Sequence, residues 1–201
     1  EAFEKKWNDI KVFIAYGMIA DTKFYERAEK FCLFQNTEEK FFTFGEYKEH
    51  IKENQTDKEK NLVYLYTNNP VEQHAYVEAA RERGYDVLIM DGVLDSQFIN
   101  NLEPKFEKSK FVRVDADVID KLIEKDQAIA SKLSDEQKEK LKHLFEEMVD
   151  KTSFHVQFEN MRETDQPVII TQTEFMRRYK EMSQLGGGGM GFMGSMPDSY
   201  K

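Results

Sequence analysis

Residues 61–114 decide the fold of this chain and read NLVYLYTNNPVEQHAYVEAARERGYDVLIMDGVLDSQFINNLEPKFEKSKFVRV. Three short apolar runs, rich in residues that favour strands, lie within this stretch at 62–66, 87–90 and 111–114. Each of the two intervening segments is long enough for one helix. Strands that alternate with helices predict right-handed βαβ crossovers and a small parallel sheet.

Helix signals mark both connections. In the first, Asn69 is a typical N-cap and Pro70 suits the first helical position, where a missing N–H is harmless. Gly84 is expected to end this helix. In the second connection, Asp95 and Ser96 open a helix. The residues predicted to face the core are Val71, Ala75 and Ala79 in the first helix and Phe98, Ile99 and Leu102 in the second.

Two helices are predicted near the start of the chain. Apolar residues at helical spacing predict a first helix that stops before Gly17, and Asp21 or Thr22 can cap a second. Residues 35–40 are predicted to be a polar loop. Residues 1–124 are therefore assigned to the α/β class, as a small three-layer αβα domain with a short parallel sheet.

Two capping boxes predict helix starts. Thr43 with Glu46, and Ser134 with Gln137, have the spacing at which each side chain bonds the other residue's free backbone N–H. An apolar stripe at helical spacing follows the second box: Leu141, Leu144, Phe145, Met148 and Val149.

The pattern changes after the αβα domain. Residues 125–133 have little apolar periodicity and are predicted to be a linker. Residues 134–201 are predicted to form a truncated α+β domain, with strands at 154–159 and 168–170. Because two strands with one buried face need a further partner, this second domain is predicted to be incomplete.

Composition narrows the possible functions. A formal net charge of -9 with 33% charged residues argues against a nucleic-acid partner, which requires a basic face. Cys32 is the single cysteine, so a reducing, cytoplasmic location is expected. No apolar run approaches the roughly 20 residues of a membrane span, so no membrane partner is expected. The absence of an initial Met and of a signal peptide indicates a piece of a longer protein.

Enzymatic chemistry has little support in the residues. The glycines at 186–189 lack a following Lys-Ser or Lys-Thr pair, so they do not indicate a phosphate loop. No metal site is predicted from the histidines, whose spacing is wide and which are expected on solvated faces. These are His50, His74, His143 and His155.

One alternative is a receiver-like phosphotransfer domain. Asp91 follows an apolar strand, as the phosphoacceptor does in response-regulator receivers. That chemistry needs an acidic pair after the first strand to hold Mg²⁺, and residues 67–69 there read Thr-Asn-Asn. An adaptor module of unrelated type is the other alternative.

Four runs of the chain stand out together: FIAYG at 13–17, FTFGEY at 42–47, VYLYT at 63–67 and GYDVLIM at 84–90. In residues and in order they resemble the middle domain of the ninety-kilodalton heat-shock chaperones of bacterial HtpG type. Residues 165–182 are similar to the opening of the family's C-terminal, dimerising domain.

This resemblance implies an ATP-dependent, homodimeric chaperone of the stress response that assists the folding of unfolded or partly folded client proteins. It also implies that ATP and Mg²⁺ bind in an N-terminal domain upstream of this chain, so that the chain contains no catalytic, cofactor or metal residues. The chain would then be an interaction scaffold and not the ATPase.

The resemblance places a client-binding surface near the junction of the middle and C-terminal domains. Gln172 stands where many members have a Trp, whereas Met176 matches the Met that follows it in the family. The Gly/Met tail, residues 186–196, matches an exposed Met-containing segment of the family in position. The predicted client-binding residues are Phe175, Met176, Met190, Phe192, Met193 and Met196. Met side chains re-pack readily against varied partners, although a flexible linker is the alternative reading of the Gly/Met tail.

Overall fold

The computed structural model describes residues 2–125, 131, 133–151, 154–174 and 177–178. The helices are α1 (Ala2–Ala20), α2 (Thr22–Ala28), α3 (Phe44–Ile51), α4 (His74–Arg81), α5 (Asp95–Leu102), α6 (Ile119–Leu122) and α7 (Asp135–Met148). The strands are β1 (Leu33–Gln35), β2 (Phe41–Thr43), β3 (Leu62–Thr67), β4 (Val87–Ile89) and β5 (Ser109–Arg113).

The predicted parallel sheet is confirmed, with the strand order β4-β3-β5. The central strand β3 pairs in parallel with both neighbours, so that Tyr66 lies beside Leu88 on one side and Arg113 on the other. A continuous apolar run is what a strand covered on both faces requires.

Helices cover both faces of this sheet, which confirms the three-layer αβα arrangement. On one face, Tyr64 and Tyr66 pack with residues of α1, α3 and α5 in the larger hydrophobic core. On the other face, Val63 and Leu65 pack with residues of α4 and α6 in the smaller core. Successive residues of β3 point to opposite faces, so one strand contributes to both cores.

A short antiparallel hairpin, β1–β2, was not predicted. Its first strand ends at Gln35 and its second begins at Phe41, where the sequence indicated only a polar loop at 35–40. The hairpin carries Phe34 into an aromatic cluster, with ring centroids 4.6 Å from Phe44 and 6.1 Å from Phe111. Strands of three residues are too short to show the alternation by which strands are recognised.

The first helix was predicted to stop before Gly17, and this prediction is wrong, because α1 continues to Ala20. Gly17 instead allows the ring of Phe24 to pack closely against α1, because a Cβ at this position would lie 2.6 Å from Cε1 of Phe24. The chain then turns into α2, whose N-cap is Asp21, with its carboxylate accepting the backbone N–H of Phe24 at 2.8 Å.

The buried face of α4 also differs from the prediction. Residues 70–73 form a turn, and the helix begins only at His74. Asn69 caps this turn by accepting the N–H of Val71 at 3.2 Å. The prediction counted helical turns from Val71, so it chose the wrong face of the helix. The buried residues are Val77 and Ala80, whereas Val71 and Ala75 are exposed. The helix ends at Arg81, and the turn that follows it closes at Gly84, which has a φ of 73°.

Both capping boxes are confirmed, with Thr43 capping α3 and Ser134 capping α7. Helix α7 nevertheless contains no buried residue. Its predicted apolar stripe is largely open to solvent at Leu144 and Met148. The stripe is thus amphipathic as predicted, but it does not form a core among the described residues.

The two strands predicted after α7 are not strands in the structure. Residues 154–159 and 168–170 are described as irregular chain, with no ladder between them. Alternating side chains favour a strand only when another strand pairs with it, and neither segment has such a neighbour among the described residues. Most of the predicted linker at 125–133 lies outside the described residues, and the domain boundary stays a prediction. Within the described part of the chain, no helix is long and apolar enough to cross a membrane.

Candidate functional site

The predicted client-binding residues lie outside the described residues: Phe175, Met176, Met190, Phe192, Met193 and Met196. The residues on either side of the first two are described, and they lie against the αβα domain. Glu174, Arg177 and Arg178 contact the sheet near the carboxyl ends of β3 and β5. This contact region is the best-defined candidate site, and it is called the junction below.

A polar network covers the carboxyl edge of the sheet beside the junction. The Thr67 hydroxyl donates to Oε1 of Gln73 at 2.5 Å, and Nε2 of Gln73 donates to Asp115 at 2.9 Å. Arg113 binds the same Asp115 carboxylate through Nε and Nη2 and reaches Oδ1 of Asn68 at 3.3 Å. Thr67 and Gln73 are buried, so these bonds satisfy groups that water does not reach.

Glu174 is the centre of the junction. Its carboxylate accepts the Tyr66 hydroxyl at 2.8 Å, the backbone N–H of Arg113 at 3.1 Å and Nε of Arg178 at 2.7 Å, and it also pairs with Arg177. Burial alone would raise the pKa of Glu174, but the two guanidinium groups bring that pKa below its usual value. The carboxylate is therefore ionised at neutral pH.

Arg178 binds the αβα domain directly. Its guanidinium donates to both carboxylate oxygens of Glu103, at 2.7 and 3.1 Å, and to the backbone carbonyl of Phe111 at 2.7 Å. It also reaches Oδ1 of Asn100 at 3.0 Å. Such a two-pronged pairing fixes orientation as well as distance, since the guanidinium plane matches the carboxylate.

A second set of contacts holds the chain that leads to the junction. Arg83, whose side chain is 1% exposed, binds Asp120 through two nitrogens at 2.7 Å and Asp165 at 2.7 Å. Farther along, the Tyr76 hydroxyl donates to the carbonyl of Ile170 at 2.5 Å. The segment before Glu174 therefore follows the outer face of α4.

Asp91 does not have the surroundings of a phosphoacceptor. Its carboxylate pairs with Lys11 at 2.6 Å, and the nearby Asp95 bonds the N–H of Gly92 at 2.8 Å. Burial raises the pKa of Asp95 to about 6. Within the described part of the chain, no three His, Cys, Asp or Glu side chains come together as a metal site. A receiver needs carboxylates after the first strand of its sheet. This chain has Thr67 there, and its hydroxyl bonds Gln73.

Asp86, at the other end of β4, has a structural role. Its carboxylate accepts the Tyr47 hydroxyl at 3.0 Å and Nδ2 of Asn36 at 2.8 Å, and it lies 3.1 Å from Nε2 of His50. Tyr47 and Asn36 are fully buried. The carboxylate thus joins the hairpin, α3 and β4, whereas Asp91, at the opposite end of the same strand, faces solvent.

The remaining reactive groups do not form a catalytic arrangement in the described residues. Burial raises the pKa of Cys32 to about 12, which keeps the thiol protonated and unreactive, as its predicted packing role requires. The four histidines are exposed, as predicted. The junction holds residues 174, 177 and 178 of its own chain at the sheet edge through ionic and hydrogen-bonding groups.

Sequence reasoning missed the junction residues. Glu174, Arg177 and Arg178 belong to the run EFMRR, in which opposite charges three and four positions apart indicate salt bridges along one helix face. That local signal was available. It could not identify Tyr66 or Glu103 as partners, because those contacts join distant parts of the chain.

The fold and the junction together define a three-layer α/β domain that holds a later segment of its own chain at the carboxyl edge of its sheet. Its family is shown by a sequence profile: the profile described as Hsp90 protein matches residues 1–184. The chain belongs to the Hsp90 family, and the predicted resemblance is confirmed.

Close relatives are bacterial chaperones. The chain is 50% identical over 201 residues to the chaperone protein HtpG of Bacteroides thetaiotaomicron, and 44% identical over 201 residues to that of Porphyromonas gingivalis. Each match covers 98% of this chain and 29% of the relative. The chain thus spans less than a third of the length of the curated relatives it matches. The comparisons give no support to a receiver or to an unrelated adaptor.

Similarity also extends beyond bacteria and to a solved structure. An endoplasmin homolog of Dictyostelium discoideum is 29% identical over 117 residues, which are 57% of this chain and 14% of the relative. The middle domain of a Plasmodium falciparum putative heat shock protein superposes with a TM-score of 0.42 at 20% identity, covering 55% of this chain and 46% of that chain.

Proposed function

We propose that this chain is a client-binding and scaffold part of an ATP-dependent molecular chaperone of HtpG type, which assists protein folding under stress. The observation that carries the proposal is the identity of about half of all residues, over nearly the whole chain, to relatives named as HtpG chaperones. The junction supports the proposal, since its ion pairs and hydrogen bonds would position a client-binding surface beside the αβα domain.

The same proposal places nucleotide hydrolysis and client binding in different parts of the protein. ATP and Mg²⁺ bind in another part of a longer, homodimeric, cytoplasmic protein, and this chain contributes no group to hydrolysis. A structural role is supported by buried charges that pair within the domain, such as Arg83 with Asp120 and Asp165.

The proposed client-binding residues are those predicted from the sequence: Phe175, Met176, Met190, Phe192, Met193 and Met196. Unfolded clients share exposed apolar side chains but no common shape. Flexible thioethers and aromatic rings suit such partners, because they gain contact area by re-packing. Two copies in a homodimer would add weak contacts through effective concentration.

Replacing Met190, Phe192, Met193 and Met196 together with Ser should weaken binding of an unfolded model client at least tenfold, because it removes four apolar contacts of about 0.5 kcal/mol or more each, and a loss of about 1.4 kcal/mol is tenfold. Fluorescence anisotropy of a labelled, permanently unfolded client, titrated with the full-length chaperone, measures this. Client-free ATP turnover should stay unchanged.

The matched control replaces four other apolar residues that are exposed in the αβα domain. These are Phe13, Tyr16, Val71 and Val93. Their replacement with Ser should leave client affinity within twofold of the parent protein. An equal loss of affinity in both variants, or no loss in either, would show that the Gly/Met tail is not a client surface.

A further inference from the structure

The sheet has the topology of a ligand-binding α/β domain. The strand order reverses at β3, because the first crossover leads to β4 on one side and the second leads to β5 on the other. In open α/β sheets, ligands bind outside the carboxyl ends of the strands at such a point. In this chain that place lies next to Tyr66 and Arg113, the paired residues near the ends of β3 and β5.

The chain fills this place with its own side chains. Glu174 makes contacts typical of a bound carboxylate ligand, because it accepts a buried hydroxyl from Tyr66 and the backbone N–H of Arg113. β5 is an edge strand, and its N–H groups at Phe111 and Arg113 are bonded by the carboxylates of Glu103 and Glu174. An edge covered in this way is protected from pairing with other chains.

Among the described residues, this segment is held on the domain by ion pairs, hydrogen bonds and a contact of the Arg177 guanidinium with the ring of Tyr66. Both hydrophobic cores are built from residues 7–123, and none of the described residues after 123 belongs to either core. Glu103 and Glu174 are balanced by Arg177 and Arg178. Because the described residues of the segment are not core residues, their release uncovers little of either core, and the domain need not unfold.

We propose that residues 172–174 and 177–178 form a latch, an intrachain ligand that binds and leaves the carboxyl edge of the sheet as one unit. Glu174 occupies the ligand position, and Arg178 binds Glu103 and the Phe111 carbonyl beside it. In its closed state the latch fixes the chain on either side of Phe175 and Met176. Its effect on clients rests on the proposed function, whereas the latch itself does not.

Two backbone amides report directly on the latch. The N–H of Arg113 donates to Glu174, and the N–H of Gln172 donates to the carbonyl of Asp115 at 3.0 Å. If the latch opens as one unit, both amides become exposed in the same event. Residue-resolved hydrogen exchange of this chain by NMR therefore tests the proposal without any client or nucleotide.

Glu174→Ala and Arg178→Ala should each speed exchange of both amides at least tenfold. The second variant is the sharper test, since it leaves the acceptor of the Arg113 amide in place. Exchange at Leu65 and Val87 in the sheet should stay within twofold of the parent chain. Glu147→Ala, at an exposed ion pair on α7, is the matched control and should change none of these amides.

Two results would overturn the latch. In one, each substitution affects only the amide nearest to it, so that the contacts are local and independent. In the other, the sheet amides accelerate as much as those of Arg113 and Gln172, so that Glu174 and Arg178 belong to the folding unit. Failure of either kind leaves the client-binding test of the tail unaffected, because that test has a different readout.

Discussion

Asp86→Ala is expected to lower the free energy of unfolding of the αβα domain by about 3 kcal/mol, because it leaves buried donors without acceptors. The Tyr47 hydroxyl and Nδ2 of Asn36 both donate to this carboxylate, and both residues are fully buried. His50 loses its contact as well, although its side chain is nearly half exposed. Urea denaturation should show a lower midpoint with an unchanged slope.

Asp91→Ala is the matched control, because Asp91 lies at the opposite end of the same strand. Its carboxylate is about half exposed and makes a surface pair with Lys11. Such pairs contribute about 1 kcal/mol or less, so stability should hardly change. Equal costs for the two substitutions would contradict the structural role given to Asp86.

Arg83→Met is expected to cost about 3 kcal/mol or more, because it leaves a buried carboxylate unpaired. The Arg83 side chain is 1% exposed and that of Asp165 is 6% exposed, while Asp120 retains more contact with water. Met preserves most of the side-chain volume, so the cost reports on charge and not on packing. Thermal or urea unfolding of the variant measures it.

Arg81→Met is the matched control, because it shows whether losing any arginine at this end of α4 lowers the free energy of unfolding. Arg81 lies two residues earlier and pairs with Glu78 at a partly exposed site. Its replacement should cost less than about 1 kcal/mol. In addition, Asp165→Asn combined with Arg83→Met should restore part of the lost stability, since the unpaired buried charge is removed. If that double variant is no better than Arg83→Met alone, the electrostatic explanation is wrong.

Local signals account for what was predictable in this fold. The capping boxes at Thr43 and Ser134 depend on residues three positions apart, and both formed as predicted. Strand β3 was identifiable because burial on both faces requires a continuous apolar run. Gly84 marked the turn that follows α4, because the positive φ needed there suits a residue without a Cβ.

Non-local contacts account for what was missed. The Tyr66 hydroxyl and Glu174 are 108 residues apart in the chain, and no periodicity connects them. The hairpin β1–β2 has three residues per strand, so its pairing is decided by the packing of Phe34 and not by a local pattern. The apolar alternation at 154–159 predicted a strand, but a strand requires a partner that the described residues do not supply.

We propose above all that this chain binds unfolded polypeptide and that nucleotide binds in another part of the chaperone. Calorimetric titration of one preparation with an unfolded model client, and separately with Mg-ATP, tests it most directly. We expect saturable binding of the client and no saturable heat with Mg-ATP. Micromolar binding of Mg-ATP, or no binding of the client, would contradict the claim.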